Sequence, residues 1–260
     1  MLFDLSFNFV IVYLLAFFRL AGLMIMAPLF GSSRVPKRVK LLFAIVATLG
    51  MSTALPTKVD VPPDLANIAV SVGGELVFGL AMGSIVSFSF IAAQWAGEMI
   101  GQQIGFNLSE VFDPQYGQAG SLVGDVYFML TLIIFMGVGG HRVLMDAIYQ
   151  SFQHVPLLSL GFNDRLFGVF VDLFTSATTL AMRLAAPMFF TMLIVDVAMG
   201  CIGRAMPQFN IMSAGLPIRS ILGMLVLAGG MALSSDVISA AIWDDVVRVR
   251  DYFSTGAVNG

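Results

Sequence analysis

The chain has 260 residues, of which 58% are hydrophobic and 11% charged, with a formal net charge of -3 and a mean hydropathy of +0.91. Soluble domains are about one-quarter charged, so this composition marks an integral membrane protein or part of a membrane complex. The small net charge leaves no footprint for nucleic acid, and a single cysteine, Cys201, excludes an internal disulfide or a cysteine-rich metal site.

Asp4 stands where a secretory signal would carry basic residues and Arg19 interrupts the apolar run, which predicts a first segment that is retained. Residues 8–30 are long enough to span a bilayer and end at Pro28 and Gly31. Arg34, Lys37, Arg38 and Lys40 come after it, a basic turn that the positive-inside rule places in the cytoplasm. Residues 41–55 come next; as helix they reach only about 23 Å, short of a hydrocarbon core of roughly 30 Å.

Residues 65–95 form a longer apolar stretch in which Glu75, Gly79 and Gly83 recur every four residues, putting a carboxylate on the same face as a close-packing pair. Ala93, Gly97, Gly101 and Gly105 repeat that spacing and predict a second face open to a neighbouring helix. Beyond Gly105 the pattern changes, because Asp113-Pro114 terminates a helix and Gly117, Gly120 and Gly124 loosen the backbone on its C-terminal side. Residues 97–125 contain no Lys or Arg and carry Phe106 and Phe112 beside Glu98, Glu110, Asp113 and Asp125. Irregular backbone beside membrane segments is tolerated where protein buries it or a water-filled cavity solvates it. This loop is therefore a candidate pore or cavity element, or else a surface connector.

Residues 126–138 are again short, about 20 Å as helix, and close on a glycine-rich stretch at 137–142. That stretch lacks the Gly-Lys-Ser/Thr ending of a phosphate loop, which argues against ATP hydrolysis. His141, Asp146 and His154 do not have metal-ligand spacing. Residues 167–200 carry Asp172, Arg183, Pro187 and Asp196, with a kink expected at Pro187. Residues 221–233 are a third short run, after which Ser234-Ser235-Asp236 predicts an N-cap opening a final amphipathic helix at 236–253.

Arg19, Glu75, Arg183 and Asp196 are the ionisable groups inside apolar segments, and they serve either as buried ion pairs that fix helix register or as transport ligands. Three short runs and two long, charge-bearing ones fit helical hairpins and kinked helices buried largely against partner proteins. Seventeen methionines suit such packing, since Met fills irregular gaps. The expected fold class is an all-α membrane protein in a hetero-oligomeric assembly, with one helical domain over 1–253 and a flexible tail at 254–260.

Several segments together resemble the FliR family of flagellar export-gate proteins, called SctT in injectisomes. They are residues 18–22 (FRLAG), 27–31 (APLFG), Pro36, the Glu75 segment, 96–106 (AGEMIGQQIGF) and 111–114 (VFDP), then 139–141 (GGH), Ser151-Phe152, Val155-Pro156, 206–211 (MPQFNI) and 215–218 (GLPI). Their order and spacing across the chain are what make the resemblance specific. It implies one such subunit joined with FliP and FliQ in a closed helical cone at the entrance of a secretion channel, with FlhB outside it and flagellar proteins as transient cargo. It places the assembly at the bacterial inner membrane in the flagellar basal body. It also implies that residues 106–120, including Phe106, Asn107, Leu108, Phe112, Asp113, Pro114 and Gly117, plug that channel, and it assigns no catalytic residue, metal or cofactor. The competing reading is a stand-alone secondary transporter using Glu75 and Asp196. An intramembrane enzyme would need an Asp pair, a Ser-Lys dyad or a His-Glu-x-x-His motif, none of which is present.

Overall fold

Long apolar stretches with few internal breakers fold as long helices, and in a computed structural model the described residues form eight helices and no strand. The structure describes residues 2–31, 36–56, 64–106, 121–155, 157, 164–206 and 211–254. The helices are α1 (Leu2–Met26), α2 (Pro28–Gly31), α3 (Lys37–Gly50), α4 (Leu65–Ile104), α5 (Leu122–Val138), α6 (Gly140–His154), α7 (Asp164–Ala205) and α8 (Ile211–Ser254). Asn8–Met26, Ala66–Ile104, Val171–Ala205 and Gly215–Asp245 are long and apolar enough to cross a membrane.

Two expectations need correction. The run at 221–233 is not a short segment but the middle of α8, which has 44 residues. Ser234-Ser235-Asp236 is likewise helix interior and not an N-cap. Ser235 Oγ donates back to the Ala232 carbonyl at 2.6 Å, and Ser234 Oγ lies 3.1 Å from the Tyr127 hydroxyl, so both hydroxyls are satisfied without breaking the helix. Pro187 lies inside α7.

The chain groups into two compact units, one formed by Met1–Phe88, Met136–Leu173 and Ile242–Gly260, the other by Ser89–Phe135 and Phe174–Ala241. In the first, α1 packs on α2 and α3, with the Phe30 and Phe43 rings 4.9 Å apart. Ala27 interrupts the helix between α1 and α2, and Pro28, which has no N–H to place, opens α2. The Met26 carbonyl left by this break accepts the Ser87 hydroxyl of α4.

α1 meets α4 along the row that the sequence marks. A Cβ on Gly79 would collide with the Arg19 carbonyl and lie 2.9 Å from the Leu23 nitrogen; one on Gly83 would lie 2.6 Å from the Leu23 carbonyl; one on Gly22 would collide with the Leu76 carbonyl. These contacts advance from Arg19 to Ala27 on one helix as they advance from Glu75 to Ser87 on the other. The two helices therefore run parallel here, backbone against backbone. Gly139, at φ +80, separates α5 from α6 in the left-handed conformation that glycine adopts without strain.

In the second unit, Phe90 makes edge contacts with Phe128 and Phe135 at 5.6 and 5.5 Å. Gly97 meets α5 closely, since a Cβ there would lie 2.6 Å from the Val123 carbonyl and 2.7 Å from Gly124 Cα. Gly223 of α8 faces Ile104 and Met192, and a Cβ on it would lie 2.5 and 2.9 Å from the nearest atom of each.

Gly79→Ala and Gly73→Ala form a controlled pair within α4, because a Cβ on Gly73 would meet nothing within 4 Å. Gly73→Ala should be neutral or stabilising by about 0.5–1 kcal/mol. Gly79→Ala should cost at least about 2 kcal/mol by forcing α1 from α4. Unfolding in mild detergent measures both, and equal effects would refute the close helix contact.

Candidate functional site

The charged group most deeply enclosed in the first unit is Arg19 of α1, fully buried and aimed at α4. Its Nε donates to Glu75 Oε2 at 2.6 Å, and Glu75 is fully buried as well. Nη1 donates to three acceptors at the end of α6: the Ser151 carbonyl at 3.2 Å, the Ser151 hydroxyl at 3.2 Å and the Val155 carbonyl at 3.3 Å. The Ser151 carbonyl also accepts the Val155 N–H at 2.9 Å, so Arg19 shares it, and the last turn of a helix carries the negative end of its dipole, which suits a guanidinium. Ser151 Oγ donates to the Ile148 carbonyl at 2.8 Å and thus presents its lone pair to Arg19. Phe78 and Phe152 face the cation, with the guanidinium carbon 4.6 and 4.8 Å from their ring centroids.

One cation therefore ties α1, α4 and α6 together. Gly79 sits one turn from Glu75, and its missing side chain lets the backbones approach closely enough for the 2.6 Å bond. Lysine could not replace Arg19, because an ammonium lacks the planar fork that serves two helices at once and the flat face that stacks on rings. Chemically the arrangement pairs opposite charges out of water at the meeting of three helices.

The other two ionisable candidates lie in the second unit and do not pair with each other. Asp196 of α7 is ion-paired with Arg219 of α8, and both side chains are partly exposed. Arg183 is exposed and has no hydrogen-bond or ion-pair partner among the described residues. Of the small-residue row, Ala93, Gly97 and Gly101 are buried. Gly105, at φ +90, serves differently: its N–H bonds the Gln102 carbonyl and the Phe106 N–H bonds the Gly101 carbonyl, both at 3.1 Å. That is a Schellman cap, which ends α4. Ser220 Oγ adds a bond to the Ile104 carbonyl at 3.1 Å.

On the C-terminal side of the intervening segment, Ser121 opens α5, its hydroxyl accepting the Gly124 N–H at 3.3 Å. Asn107, Leu108, Phe112, Asp113, Pro114 and Gly117 lie outside the described residues. His154 Nδ1 bonds the Gln150 carbonyl at 3.0 Å, and Asp146 accepts from Gln150 Nε2 at 2.7 Å. Among the described residues no three His, Cys, Asp or Glu side chains gather in a metal-binding group.

The partners of Arg19 on α6 could not be named from residue types, because two of the three acceptors are backbone carbonyls. The only signal is indirect: Ser151-Phe152 and Val155-Pro156 are among the segments that carry the family resemblance.

Removing Glu75 leaves a buried cation without its counter-charge, so Glu75→Ala should destabilise the protein by about 3–5 kcal/mol. Glu75→Gln, which keeps an acceptor, should lose less. Arg19→Met combined with Glu75→Leu should recover much of the loss, since neither charge is then buried. Thermal unfolding and cellular abundance read all three. A double variant no better than Glu75→Ala would show that packing and not charge governs the junction.

The model of bacterial export proteins, family 1, matches residues 10–244. The flagellar biosynthetic protein FliR of Bacillus subtilis is 31% identical over 222 residues, covering 83% of this chain and 84% of the relative. FliR of Aquifex aeolicus is 28% identical over 249 residues, covering 95% of each chain, and FliR of Escherichia coli is 28% identical over 215 residues, covering 83% and 82%. A match of this extent, with a relative above 30% identity along most of its length, assigns the chain: it belongs to the bacterial export proteins of family 1, the family of FliR.

Proposed function

We propose that this chain is a core subunit of the flagellar type III protein export gate, which forms the entrance of the secretion channel with FliP and FliQ at the bacterial inner membrane. The observation that carries this reading is the end-to-end similarity to FliR proteins, which reaches 95% of both chains.

The helices support it. α7 and α8 bury only 22% and 17% of their most apolar windows within the chain, so most of both helices is left for another surface to cover. α3, with 14 residues, is about 21 Å long and cannot cross a bilayer unaided. A subunit packed among neighbours removes both difficulties. FlhB is the further partner, and flagellar proteins are the transient cargo.

In this reading residues 106–120 are the plug that closes the resting channel. α4 is capped at Gly105 and α5 opens at Ser121, so the segment begins and ends at defined helix termini, and its Phe106 and Phe112 suit an apolar seal. The transporter reading lacks comparable support. Glu75 is held by Arg19 and Asp196 by Arg219, so neither carboxylate stands free as an ion ligand.

Native mass spectrometry of gently solubilised membranes should show this chain with FliP and FliQ, and little of it as a monomer. A monodisperse monomer that moves a solute in proteoliposomes would overturn the gate reading.

For the plug, deleting residues 109–118 in cells that carry the whole gate should raise ion leakage while leaving assembly intact, since an apolar seal works by excluding water. Unchanged permeability in an assembled gate would make the segment a surface loop.

A further inference from the structure

α7 is long and apolar enough to cross a membrane, but its charges are spaced so that a lipid crossing carries a cost. Between Arg183 and Asp196 lie twelve uncharged residues, 184–195, about 18 Å of helix. Any crossing of roughly 30 Å, about twenty residues, taken from this helix includes at least one of the two charges. Asp196 has its counter-ion in Arg219. Arg183 is exposed with no partner among the described residues.

A second polar group is unmatched at the same place. Pro187 has no N–H, so the Arg183 carbonyl four residues earlier loses its helical donor. Arg183 and Pro187 both line a cleft with Tyr127, Gly230, Leu233 and Ser234, among otherwise apolar neighbours.

The cleft has a volume of about 110 Å³. Small-molecule sites run to about 300–1,000 Å³, so this one holds a side chain and not a solute. Its rim is open to a helix: a Cβ on Gly229 or Gly230 would meet nothing within 4 Å. Leu233, Leu225, Phe190 and Ile194 stand 65–70% exposed on the same two helices.

A free guanidinium, an orphan carbonyl and room for one side chain, set among apolar residues, describe half of an interface. We propose that this cleft docks a helix of another subunit, which inserts an aspartate or glutamate against Arg183. The inference rests on the chain being a subunit of an assembly but not on which assembly.

The test uses the full chain in cells that produce the complete gate, with a photo-reactive residue in place of Leu233. Crosslinked peptides identified by mass spectrometry should come from a protein helix with an Asp or Glu within a turn of the crosslink. Arg183→Glu should then lower recovered complex at least about tenfold, because it sets two like charges against each other across the interface. Arg183→Lys should lower it less. Exchanging the partner's carboxylate for arginine should restore the Arg183→Glu variant, and that restoration decides the matter even if the single variant reduces the amount of chain.

Crosslinking to phospholipid alone would overturn the inference, as would Arg183→Glu complex recovered within twofold of wild type. Crosslinks to an acidic helix of a protein other than FliP, FliQ or FlhB would support the docking site and refute the gate reading.

Discussion

The first unit depends on a guanidinium placed where no water reaches it. A cation moved from water into a protein interior loses several kcal/mol of hydration, and its surroundings must supply that stabilisation again. Arg19 obtains it from three directions: a carboxylate on α4, two carbonyls and a hydroxyl at the end of α6, and two aromatic faces. Nη2 has no hydrogen-bond partner among the described residues, so displacing any one of these helices by a residue leaves still more of the charge uncompensated. Buried ion pairs add little net stability over apolar packing, but they penalise wrong registers heavily. The pair and the glycines act as one device, because ordinary helices sit 8–10 Å apart and the Cβ-free contacts at Gly22, Gly79 and Gly83 bring these two together.

How much of this is legible in the sequence depends on which features are local. The row Glu75, Gly79, Gly83 can be read because four-residue spacing defines a helix face whatever the fold. That Arg19 lies opposite it can be guessed only as one of several charge combinations, and the acceptors on α6 are backbone atoms that no residue type announces. Arg219, the partner of Asp196, stands outside the intramembrane candidates because it lies just past Pro217, ahead of an apolar run that reads as a separate short segment.

Misreadings arise where one residue type has two uses. Glycine at 97 permits a close approach, whereas at 105 it permits a positive φ; only the apolar Phe106 directly after Gly105 hints at a cap. Serines at 234 and 235 have the composition of an N-cap, yet α8 continues through them because Ser235 bonds back to the Ala232 carbonyl and Ser234 meets the Tyr127 hydroxyl of α5. Hydropathy runs mark where the apolar residues are but not where the helices end, which is how a short run is expected where α8 extends for 44 residues.

The parallel contact of α1 with α4 constrains how the first unit can be placed. A chain that runs in the same direction twice must return in between, and α3 is the helix available for that return. With 14 residues against 25 in α1, it covers little more than half the distance. In a flat bilayer that return would leave unsatisfied backbone at membrane depth, where each unpaired group costs several kcal/mol. Protein neighbours remove the conflict, since they can cover apolar helices of unequal length and still supply polar partners where a helix stops short. The spacing of charges along α7 leads to the same conclusion from the second unit. Each unit, taken by itself, has helices whose length or spacing of charge supports the proposed packing among other subunits.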